Sequence, residues 1–183
     1  MPLLKLGLQR HGLLSLPVFI ILNITLVLFT LVWTHTANAS NIYLVRHFEK
    51  QTLAPSNPHY KDPNLTMRGV ERAAKLAVLM QAQNIKTIIS SPYQRALQTA
   101  MPTSEQVHVD IDIWPAKPDD ALVSYLLSLN SNTLIVGHSN TIPPLISSLG
   151  GPKVVIEEQQ YGDLFVLRIG ANKSIEFEQL TVE

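Results

Sequence analysis

At 183 residues the chain is sized for one compact domain rather than two. Lys and Arg number 14 together, as do Asp and Glu, so no net charge draws the protein to nucleic acid, although a basic pocket fits within a neutral total. The lack of cysteine excludes thiol nucleophiles, thiolate metal sites and disulfides, and leaves the compartment to be read elsewhere.

The first forty residues supply it. Lys5 and Arg10 precede an almost uncharged apolar run from Leu13 to Trp33, followed by Thr-His-Thr-Ala37-Asn38-Ala39. A basic start, an apolar middle and small residues at the sites a signal peptidase reads are the order of a secretory signal peptide. The run also approaches the roughly 20 residues that cross a bilayer, so a retained membrane anchor is the alternative. Cleavage after Ala39 is favoured because a strand-like segment begins at Asn41, which leaves an anchor no linker to the fold. Residues 1–39 are therefore expected to be a signal peptide and 40–183 the folded domain, periplasmic or secreted, with membrane contact only if the N-terminal segment is retained.

Asn41–Arg46 is a short apolar run suited to a strand buried on both faces. Pro55, Pro58 and Pro63 rule out regular structure in the polar loop that follows. From Thr66, a candidate cap, to about Gln83, Val70, Ala73, Ala74, Leu76, Ala77 and Met80 recur at helical spacing. Thr87–Ser90 reads as a second strand. Ser91-Pro92-Tyr93-Gln94 then reads as a helix start, with Ser91 as cap, Pro92 in first position and Gln94 closing a capping box. Val107–Trp114 alternates apolar residues with His108, Asp110 and Asp112, as a half-exposed strand near a sheet edge does. Asp119–Leu129 suits a helix, and Thr133–Val136 another buried strand. A helix near Pro143–Leu149 is ended by Gly150-Gly151, and Asp163–Arg168 and Ser174–Leu180 close the chain as two strands about a Gly-Ala-Asn turn. Strands alternating with helices imply an α/β fold, a three-layer sandwich with a mostly parallel central sheet covered on both sides.

In such sheets ligands bind beyond the carboxyl ends of the strands. The first strand runs into Arg46-His47-Phe48-Glu49-Lys50, the second into Ser90-Ser91-Pro92-Tyr93-Gln94-Arg95, the fourth into Gly137-His138-Ser139-Asn140. Two histidines and two arginines would meet at one rim. Arginine stays charged and presents a planar fork that matches phosphate oxygens. Neutral imidazole attacks phosphorus and, with an ordinary pKa near 6.5, is partly unprotonated near neutrality. That chemistry requires neither metal nor organic cofactor. The bland alternatives are a structural histidine at position 47, a helix-surface arginine at 95 and a solvated Glu49-Lys50 pair. His59 and His108 lie in a proline-rich loop and on an alternating strand, without metal-site spacing.

Four ordered motifs then carry a resemblance: Leu44-Val45-Arg46-His47-x-Glu49-Lys50, Leu65-Thr66-x-x-Gly69, Ser90-Ser91-Pro92-x-x-Arg95-Ala96-x-Gln98-Thr99-Ala100, and Val136-Gly137-His138-Ser139-Asn140. Together they resemble the histidine phosphatase (phosphoglycerate mutase-like) superfamily, from the first strand to Tyr161-Gly162-Asp163. The resemblance implies that His47 is the phosphorylated nucleophile, Arg46 and Arg95 the phosphate clamp, and His138 the second pocket histidine. Phe48 stands where many members have glycine and is expected to form a larger wall beside the pocket. Many members also carry a glutamate after the third strand, where this chain reads Ile113-Trp114-Pro115-Ala116-Lys117. Glu49, Glu105, Asp112 and Asp119 are the candidate replacements, and the sequence does not choose among them.

In its small size and missing acid the chain looks more like the small phosphohistidine phosphatases of branch 1 than the mutases. The implied activity is metal-independent hydrolysis of a phosphomonoester or phosphoamide, of the histidine acid phosphatase type, through a phosphohistidine on His47. A substrate with a good leaving group needs less help from an acid. The expected partner is a small phosphorylated substrate or a phosphoprotein. A non-catalytic phospholigand-binding module and a phosphoglycerate-type mutase are the alternatives.

Overall fold

The opening strand, β1 (Ser40–Arg46), is apolar on both faces because it lies inside the sheet, with Tyr43 and Val45 facing one core and Ile42 and Leu44 the other. The computed structural model describes residues 40–115 and 119–183; the expected signal peptide and residues 116–118 lie outside them. Along the chain follow α1 (Met67–Gln81), β2 (Ile85–Ser90), α2 (Gln94–Val107), β3 (Ile111–Ile113), α3 (Asp120–Ser128), β4 (Asn132–Gly137), α4 (Ile142–Ser148), β5 (Asp163–Ile169) and β6 (Ile175–Thr181). The sheet order is β3-β2-β4-β1-β5-β6. β3, β2, β4 and β1 are parallel, and β5 and β6 are added antiparallel.

Each face of the sheet is covered. On one, Ala73, Leu76 and Met80 of α1 and Ala96 and Ala100 of α2 pack on Tyr43, Val45, Ile88 and Val136. On the other, Leu122 and Leu126 of α3 and Leu145 and Ile146 of α4 pack on Leu44, Ile89, Ile135 and Phe165. The three-layer α/β architecture expected from the sequence is the one observed.

Three local readings change. The capping box at Ser91 does not form: α2 begins at Gln94 after an uncapped Tyr93, Asp62 accepts from the Gln94 N–H at 2.8 Å, and the Ser91 hydroxyl is committed elsewhere. Helix rather than strand continues through Val107, because exposed His108 adopts a left-handed conformation (φ 55°) and closes α2, shortening the edge strand to Ile111–Ile113. Phe48 is not a pocket wall. Its ring is fully buried in the α1–α2 core, under the Arg72 guanidinium.

Thr66 caps α1 as expected, accepting from the Gly69 N–H at 3.1 Å, while its own N–H donates to the Glu49 carbonyl at 2.8 Å. The helix start is thereby pressed against the segment after β1, and a Cβ on Gly69 would sit 2.4 Å from the Glu49 carbonyl oxygen. Since that obstacle is backbone, Gly69→Ala is expected to cost about 1–3 kcal/mol, the usual penalty of overpacking. Denaturant melts of the two proteins check it, and equal midpoints would refute the close approach.

Candidate active site

Parallel pairing sets the strand ends flush. Arg46 of β1 stands opposite Gly137 of β4, and Ser90 of β2 opposite Val136. The ladder runs one residue further, with the His47 N–H donating to the Gly137 carbonyl at 2.9 Å and the Ser91 N–H to the Val136 carbonyl at 3.2 Å. His47, His138 and Ser91 are thus delivered side by side. A Cβ on Gly137 would meet Thr141 Oγ1 at 2.9 Å and Ile142 Cδ1 at 2.8 Å, so the residue before His138 must lack one for α4 to start this close to the strand. The His138 N–H donates to Thr141 Oγ1 at 2.9 Å.

Nδ1 of His47 lies 2.8 Å from the Phe48 carbonyl oxygen. A carbonyl can only accept, so Nδ1 carries the proton and Nε2 keeps its lone pair. Burial above all lowers the His47 pKa to about 3, and the nearby His138, Arg95 and Arg46 push the same way. His138 is lowered to about 4, again by burial first and then by Arg95 and Arg46. Its Nε2 is 2.8 Å from the Ser91 hydroxyl. The two imidazole rings meet edge to face with centroids 5.2 Å apart.

The arginines are held differently. Arg46 is buried, and its Nη1 donates to the carbonyls of Glu157, Glu158 and Gln160 at 2.8, 2.9 and 3.0 Å, while the guanidinium lies 4.3 Å over the Tyr161 ring. Its Nη2 is 3.5 Å from a Glu158 carboxylate oxygen, and its buried Nε meets no protein acceptor. Arg95 leans on the Tyr93 ring at 4.5 Å, with Nη1 3.5 Å from Asp62 and a buried Nε that also lacks an acceptor. Buried donors without acceptors are costly, and two of them on cationic groups beside neutral imidazoles suit an oxyanion.

One pocket of about 390 Å³ gathers Arg46, His47, Arg95 and His138, with Lys50 and Glu158 on its wall. The four residues singled out in the sequence are together. The four acid candidates are not among its lining residues. Glu49 pairs with Arg72 at 3.0 Å and Arg68 at 3.2 Å, and Asp119 caps α3 through the Leu122 N–H at 2.9 Å. Glu105 and Asp112 are exposed on α2 and on the edge strand β3. Among the described residues, Glu158 is the carboxylate that lines the pocket. Glu158 carries no signal in the sequence, because the stretch between α4 and β5 has no periodicity and no motif before Tyr161-Gly162-Asp163. Lys50, for which a solvated pair with Glu49 is the bland alternative, lines the pocket, whereas Glu49 turns to α1. His59 and His108 are exposed, and no group of three His, Asp or Glu side chains among the described residues could hold a metal ion.

Residues 42–116 match the family model of the histidine phosphatase superfamily (branch 1). Over those residues the chain is similar to that superfamily. No curated protein matches the chain. Among solved structures, the protein histidine phosphatase SixA complexed with tungstate superposes with a TM-score of 0.63 at 18% identity, over 77% of this chain and 96% of that one. Mycobacterial glucosyl-3-phosphoglycerate phosphatase superposes with a TM-score of 0.58 at 14% identity, over 78% and 98%. A mycobacterial hydrolase gives a TM-score of 0.60 at 14% identity, over 79% and 99%. At these identities the superpositions establish a shared fold.

The lowered histidine pKa values have a consequence for stability. In the unfolded chain both imidazoles protonate near pH 6.5, but in the folded protein only near pH 3 to 4. Between those limits the unfolded chain binds more protons, so stability is full above about pH 6.5 and falls as the pH is lowered. Urea midpoints are expected to drop steadily from pH 7 to pH 5, and His138→Asn to flatten the slope. A midpoint independent of pH across this range would show that the imidazoles are not held neutral.

Proposed function

We propose that this protein is a phosphatase that transfers a phosphoryl group from a phosphomonoester or phosphoamide to His47 and then to water. The carrying observation is the His47 tautomer: Nδ1–H is tied to the Phe48 carbonyl, and Nε2 is left unprotonated in a pocket that also holds two guanidinium groups with buried, unpaired N–H donors. His47 Nε2 attacks phosphorus while Arg46 and Arg95 neutralise charge on the equatorial oxygens. His138, adjacent and anchored by Ser91, adds a hydrogen bond to the same oxygens. The imidazolium formed on phosphorylation keeps its Nδ1–H bond to a carbonyl, which favours the positive charge. Water then attacks phosphorus and releases phosphate and His47. None of these steps draws on a metal.

The solved neighbours bear names of enzymes that remove phosphoryl groups from a phosphohistidine protein or a sugar-acid phosphate, which supports the class and leaves both kinds of substrate open. The order of basic, apolar and small residues before Ala39 supports export, so we place the reaction in the periplasm or outside the cell.

His47→Ala is expected to abolish hydrolysis of an aryl phosphate and the acid-labile, base-stable phosphoenzyme trapped by rapid quenching. Arg95→Ala is expected to lower kcat on the order of 10²- to 10³-fold, as loss of an oxyanion donor does elsewhere. Addition of a chelator is expected to leave turnover unchanged. Ligand binding by the wild-type protein without phosphate release or phosphoenzyme would instead identify a binding module.

A further inference from the structure

The pocket supplies a nucleophile and oxyanion donors, yet a phosphoryl transfer to His47 also needs a proton for the departing oxygen unless the leaving group is a good one. We propose that Glu158 is that proton donor, an assignment that rests on the phosphatase reading above. Glu49, Glu105, Asp112 and Asp119 are engaged or placed elsewhere, and Glu158 is the carboxylate on the pocket wall among the described residues.

Its placement ties it to the reacting centre. The irregular segment between α4 and β5 that carries Glu158 is fastened to Arg46, the residue before the nucleophile, by three carbonyl acceptors, one of them its own. Tyr161, three residues on, packs against the same guanidinium. One arginine therefore registers the acid relative to His47, although Glu158 belongs to no strand or helix.

The carboxylate lies 3.5 Å from Arg46 Nη2 and 3.9 Å from Lys50 Nζ, so it stands beside the guanidinium that would hold the phosphate.

In the first step the His47 Nε2 lone pair forms the N–P bond, the P–O bond to the leaving group breaks, and the leaving oxygen takes the proton from Glu158. In the second, water loses a proton to the Glu158 carboxylate as its oxygen bonds to phosphorus. The P–N bond breaks, its electron pair returns to Nε2, and phosphate leaves with the acid restored.

Glu158→Gln, Glu158→Asp and wild type would be assayed on phosphate esters whose leaving groups run from 2,4-dinitrophenol through phenol to a simple alcohol. kcat/KM is the readout, because it reports phosphorylation alone. The Gln variant is expected to match wild type on the dinitrophenyl ester and to lose on the order of 10²- to 10⁴-fold on the alkyl ester, the usual worth of general acid catalysis. The Asp variant is expected to fall between. An equal loss across the series, or no loss on the alkyl ester, would overturn the assignment; matching thermal melts exclude misfolding. Turnover by His47→Ala in the same series would instead overturn the phosphatase reading on which the assignment rests.

Discussion

The pairing of β1 with β4 is the constraint on which the site depends. Each strand alone ends in an Arg-His or Gly-His step, and neither step means much by itself. Register brings Arg46 level with Gly137, and the hydrogen bond from the His47 N–H to the Gly137 carbonyl carries that alignment past the strand ends. Parallel strands present their carboxyl ends on one side, so side chains that follow β1, β2 and β4 converge on one rim. The two cores on either face hold the sheet in that arrangement, and residues such as Leu44, Ile88 and Leu134 are fully excluded from water there.

Within that rim the fold resolves an electrostatic conflict. Two arginines and two imidazoles are packed into a partly buried space, and four positive charges there would be prohibitive. Burial and the guanidinium charges together keep both imidazoles neutral, which is also the form that attacks phosphorus. Arg46 is compensated by three carbonyl oxygens, an aromatic face and the solvent-exposed Glu158 carboxylate 3.5 Å from Nη2, so much of its charge remains available to a ligand.

The same compensation gives the loop after α4 its place. A stretch with no regular hydrogen bonding of its own takes its conformation from donors on a neighbouring element. Glu49 illustrates the converse. It follows the nucleophile closely in sequence, yet Arg72 and Arg68 draw its carboxylate toward α1, where it helps to join the first motif to a helix. Nearness in sequence thus proved a poor guide to nearness to the pocket for the acidic residues, and a good one for Arg46, which the strand itself delivers.

Much of this was legible in the residues. Alternation and apolar runs marked the strands, Thr66 and Asp119 marked helix starts, and Arg46, His47, Arg95 and His138 stood out because each ends or follows a buried strand, the one setting in which local sequence determines global position. The rest depended on partners distant along the chain. Ser91 reads as a cap until His138 approaches its hydroxyl, His108 reads as strand until its backbone turns left-handed, and Phe48 reads as a pocket wall until Arg72 and the α1–α2 core enclose it. Glu158 had no signal at all, because its placement comes from Arg46, more than a hundred residues earlier in the chain. Sequence by itself determined which side chains the strands would carry to the rim; only tertiary structure decided which acids and aromatics would meet them, since those contacts are made by loops whose conformation is imposed by their neighbours.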